Sequence, residues 1–100
     1  MVYFMLKLNA PRPSFPMDAT NEEQAAMARH AEFWQGQARA GSAIAVGPVF
    51  DPAGAFGMAI VECDGEDAAR ALAEEDPVVK TGLGFRYDVF GIPSIILRQA

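Results

Sequence analysis

The chain holds one histidine, His30, and one cysteine, Cys63, so its capacity for acid/base, nucleophilic or metal chemistry rests on few side chains. One His and one Cys do not build a zinc site without carboxylates, and no ligand spacing supplies them, so no metal is expected. No phosphate-cradling or dinucleotide-binding glycine pattern occurs, and Gly82-Leu83-Gly84 is too short a signal to count as one. A serine triad would need His30 beside Ser14, Ser42 or Ser94, and no nucleophile-elbow pattern surrounds any of them. Cys63 stands beside acidic residues, which disfavour a thiolate and mark it as structural. His30 with Asp76 is the pair that remains. A carboxylate accepting an imidazole N–H fixes the tautomer and leaves the other ring nitrogen free as a base. The competing reading is a purely structural pair, because buried polar groups are normally hydrogen-bonded for stability alone.

Both residues owe their candidacy to the elements that carry them. Thr20-Asn21-Glu22-Glu23 is a capping-box pattern, and the helix it opens runs to about Ala40, where Gly41 supplies a stop. Ala26, Met27, His30, Phe33, Trp34 and Gln37 fall on one stripe of that helix, opposite Arg29, Glu32, Gly36 and Arg39, so His30 belongs to the apolar side. A second helix, capped by Asp64, runs through Glu75 with Ala68, Ala69, Leu72 and Ala73 inward. Asp76 continues that stripe by helical spacing before Pro77 ends the helix.

The remaining segments read as strands. Val2 to Leu8 is a continuous apolar run, buried on both faces. Pro11, Pro13 and Pro16 forbid a helix after it and make a stiff extended loop. Ser42 to Phe50 is a strand broken by Gly47-Pro48, hence an edge strand or a bulge. The turn Asp51 to Gly54 joins it to a third strand, Ala55 to Cys63. After a turn at Gly82 and Gly84, the last strand spans Phe85 to Leu97, interrupted by Gly91 and Pro93.

The order is βαββαβ: an α+β, ferredoxin-like single domain over residues 1–100, with two helices on one face of a four-stranded antiparallel sheet. Alternation sends Val2, Phe4, Leu6 and Leu8 one way and Tyr3, Met5 and Lys7 the other. Tyr3 and Met5 on an open sheet face add to an exposed apolar patch, which a homodimer stacked sheet to sheet would hide. The hydrophobic fraction of 51% agrees with a second buried face. The net charge of -5, with no basic cluster, excludes nucleic acid and anionic membrane surfaces as partners. No stretch approaches the length of a membrane span and no leader pattern opens the chain, so a cytoplasmic protein is expected.

The sequence also resembles the YCII-related family of the dimeric α+β barrel superfamily. The matching pieces, in order, are His30, Ala40-Gly41, Val46-Gly47-Pro48, Gly54 to Gly57, Ile60-Val61-Glu62, Glu66-Asp67-Ala68, Glu75-Asp76-Pro77 and Gly82. The resemblance implies a ferredoxin-like protomer, a dimer formed through the sheets, and a His–Asp pair in a pocket, matched by His30 and Asp76. For some relatives it also implies elimination from halogenated or hydroxylated aromatics. The long proline-rich loop departs from the family pattern.

The expectation is a small cofactor-independent enzyme in which His30 is the general acid/base and Asp76 orients it. Its pocket would lie between the two helices and the sheet, lined by Phe4, Leu6, Phe33 and Trp34, with Phe15 or Arg12 from the loop. Such walls suit a small aromatic or apolar ligand. The alternative is a non-catalytic ligand-binding or accessory dimer, and a third reading makes His30 an axial haem ligand.

Overall fold

The computed structural model describes residues 1–100. Its elements are β1 (Val2–Asn9), α1 (Asn21–Ala40), β2 (Ala43–Val49), β3 (Phe56–Cys63), α2 (Glu66–Glu75), a single 3-10 turn (Pro77–Lys80) and β4 (Arg86–Ile92). The antiparallel sheet is ordered β2-β3-β1-β4. This is the expected βαββαβ ferredoxin-like arrangement.

The most apolar strand takes a central place. β1 is paired on both edges, and Phe4, Leu6 and Leu8 are buried on its helix-covered face. β2 is an edge strand, where Pro48 removes no ladder donor that another strand needs. β4 ends at Ile92, short of the expected Leu97. Ile92 pairs with Tyr3 near the start of β1, so the ladder has no further partner to offer, and Pro93 has no N–H to donate.

Both helices begin and end for local reasons. Thr20 caps α1 in a complete capping box with Glu23, and Gly41 closes it at φ 93°, a left-handed conformation that glycine adopts without strain. The expected Asp64 cap of α2 is not formed: Gly65 occupies the cap position and no side chain bonds there. Pro77 forces the residue before it out of the helical region, so Asp76 is extended at φ -62° and ψ 121°. Asp76 therefore does not arrive inward as one more step of the α2 stripe. It leaves the helix and caps the 3-10 turn instead, its Oδ1 accepting the Val78 N–H at 3.0 Å.

The proline-rich loop has no helix, as expected, but it is not extended: successive turns fold it, with the N–H groups of Phe15, Met17 and Ala19 donating to the carbonyls of Arg12, Ser14 and Pro16. Arg12 is its clamp. Its Nη1 and Nη2 donate to both oxygens of Glu23 at 2.8 and 2.7 Å, and its Nε donates to Asp18 Oδ2 at 3.0 Å. Glu23 thus serves two structures at once, the α1 cap and the loop. The Arg12 guanidinium, with the Thr20 N–H, pulls the Glu23 carboxyl from its ordinary 4.5 down to about 2. A depressed carboxyl adds stability that is complete above the ordinary value and is lost as pH falls toward the folded one. Arg12→Ala is therefore expected to lower Tm at neutral pH and to flatten its fall between about pH 4.5 and 2. Thermal unfolding of both proteins across that range checks it; matching Tm–pH curves would contradict the clamp.

Two apolar clusters fill the space between helices and sheet. One gathers Phe4, Leu6, Trp34, Ala43, Ala59, Val61, Ala69 and Ala73; the other gathers Leu8, Phe15, Ala26, Val78 and Phe85. Asp76 is fully buried, between Ala73 of the first cluster and Val78 of the second along the chain.

Candidate functional site

A carboxylate in such a place must be hydrogen-bonded, and Asp76 is, on both oxygens. Its Oδ2 lies 2.6 Å from His30 Nδ1 and accepts the Trp34 indole N–H at 2.9 Å and the Tyr87 hydroxyl at 2.6 Å. Trp34 Nε1 lies 3.0 Å from the Tyr87 oxygen as well, which closes a ring of polar contacts within the core. Two turns of α1 supply His30 and Trp34, the α2 break supplies Asp76, and β4 supplies Tyr87.

The electrostatics follow from this arrangement. Burial opposes the charged form of Asp76, yet the bonds from His30, Tyr87 and the Val78 N–H outweigh it and hold the carboxyl below its ordinary value. Asp76 is thus an anion with four donors aimed at it. Burial and then the neighbouring carboxylate push the Tyr87 hydroxyl up, so it remains a protonated donor. With Nδ1 engaged by the carboxylate, the neutral imidazole carries its proton there, and Nε2 is the unprotonated nitrogen. Nε2 has no hydrogen-bond partner within the protein.

His30 borders a cleft of about 780 Å³. The floor includes Leu8, Gly57, Ala59 and Tyr87 of the sheet; one wall is α1 and the other is β2 with Phe50. Phe15 and Pro16 of the proline-rich loop close one end. The cleft opens to solvent between the exposed Gln35 and Ala38 of α1 and Ile44, Val46 and Phe50.

His30, Trp34 and Phe15 line the cleft, and Asp76 stands directly behind His30. Four expected contacts are not made. Phe4 and Leu6 are packed in the core beneath Trp34. Phe33 stacks edge-on against Trp34 at 5.1 Å between ring centroids and does not reach the cleft. Arg12 is fully engaged with Glu23 and Asp18. The cleft itself lies between α1 and the β2 side of the sheet, not between the two helices, because small alanines let α2 pack closely on the sheet. Tyr87 and the amides Gln24 and Gln35 were missed. Alternation along β4 puts Tyr87 with Val89 on one face, but only its pairing with Leu8 shows that this face is the helix-covered one.

Fold and site together define a ferredoxin-like α+β protein with a His–Asp pair at an apolar cleft. The family model of the YCII-related domain matches residues 1–93, and the chain belongs to that family. No curated protein matches it. No helix is long and apolar enough to cross a membrane.

Proposed function

We propose that the protein is a small acid/base enzyme acting on an organic molecule held in the α1–β2 cleft. The observation that carries this is His30: its Nδ1 is fixed by a buried carboxylate at 2.6 Å, while its Nε2, without a protein partner, belongs to a side chain on the cleft wall. A pair serving stability alone has no need of a free basic nitrogen beside a cavity of ligand size.

In an elimination, Nε2 removes a proton from a carbon of the substrate. The C–H electron pair becomes the new double bond, and a leaving group on the neighbouring carbon departs with its own bonding pair. The imidazolium formed is stabilised by Asp76 and returns its proton to the leaving group or to solvent. Asp76 stays ionised throughout, because Trp34, Tyr87 and the Val78 N–H keep its charge dispersed whichever form His30 takes. Proton abstraction without loss of a leaving group uses the first half of the same sequence. The test is a turnover screen of small halogenated and hydroxylated ring compounds, comparing wild type with His30→Gln. Turnover confined to the wild type supports the proposal; equal turnover in both would overturn it.

The working form is proposed to be a homodimer joined through the open sheet faces. Tyr3, Met5, Met58, Ile60, Phe90 and Ile92 share the face opposite the helices by strand alternation and register, and Phe90 is 47% exposed. Lys7, Glu62 and Asp88 stand at the margins of the same face, and the apolar groups between them are what a sheet-to-sheet dimer would cover. Light scattering should give twice the chain mass of 10.7 kDa, and Met5→Lys, at the middle of β1, should give the chain mass. A wild-type monomer at micromolar concentration would contradict the dimer.

A further inference from the structure

We infer that the α1–β2 cleft is selective for uncharged molecules that carry a dissociable proton, and that it discriminates against carboxylates and phosphates. The inference rests on the proposed role of His30 and narrows its substrate class.

The lining of the cleft has an unusual composition for a chain in which 21% of residues are charged. None of its residues is Lys, Arg, Asp or Glu, and its polar side chains other than His30 and Tyr87 are the two amides Gln24 and Gln35. The charge nearest the pair is that of Asp76, behind His30; Lys7, which does not line the cleft, lies with its Nζ 4.7 Å from the ring centroid of Phe56, a lining residue. The groups facing the pair are Trp34 from α1, the Tyr87 hydroxyl from β4 and the Val78 N–H from the 3-10 turn, and none carries a formal charge. Arg12, the cation on the neighbouring loop, is neutralised by Glu23 and Asp18.

With a neutral imidazole the site therefore holds one net negative charge. When a neutral acid docks and gives its proton to Nε2, the result is an imidazolium, the Asp76 carboxylate and the substrate anion. The site still holds one net negative charge, and the new anion faces a new cation. An occupant that arrives as a carboxylate or phosphate raises the total to at least two negative charges, and no cation among the lining residues meets the second. Gln24 and Gln35 offer it amide N–H donors only, and desolvating an unpaired anion against apolar walls is unfavourable. The volume of about 780 Å³ suits ring compounds.

Trp34 is the only tryptophan and lines the cleft, so its fluorescence reports occupancy without any need for turnover. Phenol and benzamide are the neutral probes; benzoate and phenyl phosphate are anionic probes on the same ring. The neutral pair should change Trp34 emission saturably, and the anions should require at least roughly tenfold higher concentration. Gln35→Lys, an exposed position on the cleft rim, should bring benzoate to within a few-fold of benzamide. Benzoate or phenyl phosphate binding as well as the neutral probes to the wild type, or no response to any of the four, would overturn the inference. His30→Gln leaves the net charge of the site unchanged when the imidazole is neutral, so it should keep the charge selectivity while losing turnover. Selectivity that fails with turnover intact refutes this inference alone; selectivity that holds while His30→Gln turns over normally refutes the catalytic role alone.

Discussion

Asp76→Asn is expected to remove about 3 kcal/mol or more of stability, because four donors converge on its buried carboxylate. The exchange keeps the size of the side chain but replaces one acceptor oxygen by an amide that only donates. If the amide nitrogen takes the place of Oδ2, it confronts the donors of His30, Trp34 and Tyr87. If it takes the place of Oδ1, it confronts the Val78 N–H. Either way at least one buried donor is left without an acceptor, and the 3-10 turn or the base of the cleft must open to relieve it. The variant also removes a source of acid sensitivity. The folded carboxyl lies below its ordinary 3.8, so its stabilising contribution is complete above that value and is lost as pH falls below it. Urea unfolding at neutral pH and again near pH 3 measures both effects. A variant within about 0.5 kcal/mol of the wild type would show that the four donors do not depend on the carboxylate.

His30→Gln should behave in the opposite manner: little change in stability and a turnover lowered by roughly a hundredfold to ten-thousandfold, the range over which a positioned general acid/base contributes. Asp76 keeps the donors of Trp34, Tyr87 and the Val78 N–H whichever way the glutamine amide turns, so the fold keeps its anchor. It has no basic nitrogen with which to take a proton at neutral pH. The two substitutions together separate the roles of the pair, with Asp76 holding the structure and orienting the imidazole while His30 carries the proton. Unfolding midpoints and steady-state rates for the two variants, measured side by side, decide it. Full turnover in His30→Gln would leave the pair as structure alone.

The sequence makes the fold and the His–Asp pair legible for different reasons. The capping box at Thr20, the proline in β2 and the alternation along β1 are local signals, and each acts where it is read. The pair is legible because His30 lies on a clear apolar stripe. Asp76 reaches it by a route the stripe does not describe, since Pro77 turns the backbone out of the helix and the carboxylate swings in as the cap of a turn. The cleft walls are less readable because they depend on register. Which strand face Tyr87 shares with Leu8, and which flank of α1 lies over β2 rather than α2, are set by pairing between distant segments. Arg12 illustrates the same limit: its charge suggests an anion, and the chain supplies two of its own, Asp18 and Glu23.

The most direct measurement is a nitrogen-resolved NMR titration of the imidazole, which needs no assignment because His30 is the only histidine. It is run without and with phenol. The neutral ring is expected to carry its proton on Nδ1 toward Asp76, Nε2 to be the nitrogen that gains a proton, and phenol to shift Nε2 much more than Nδ1. A proton found on Nε2 in the neutral form, or ring nitrogens indifferent to phenol while Trp34 reports it bound, would contradict the assignment of His30 as the base of the cleft.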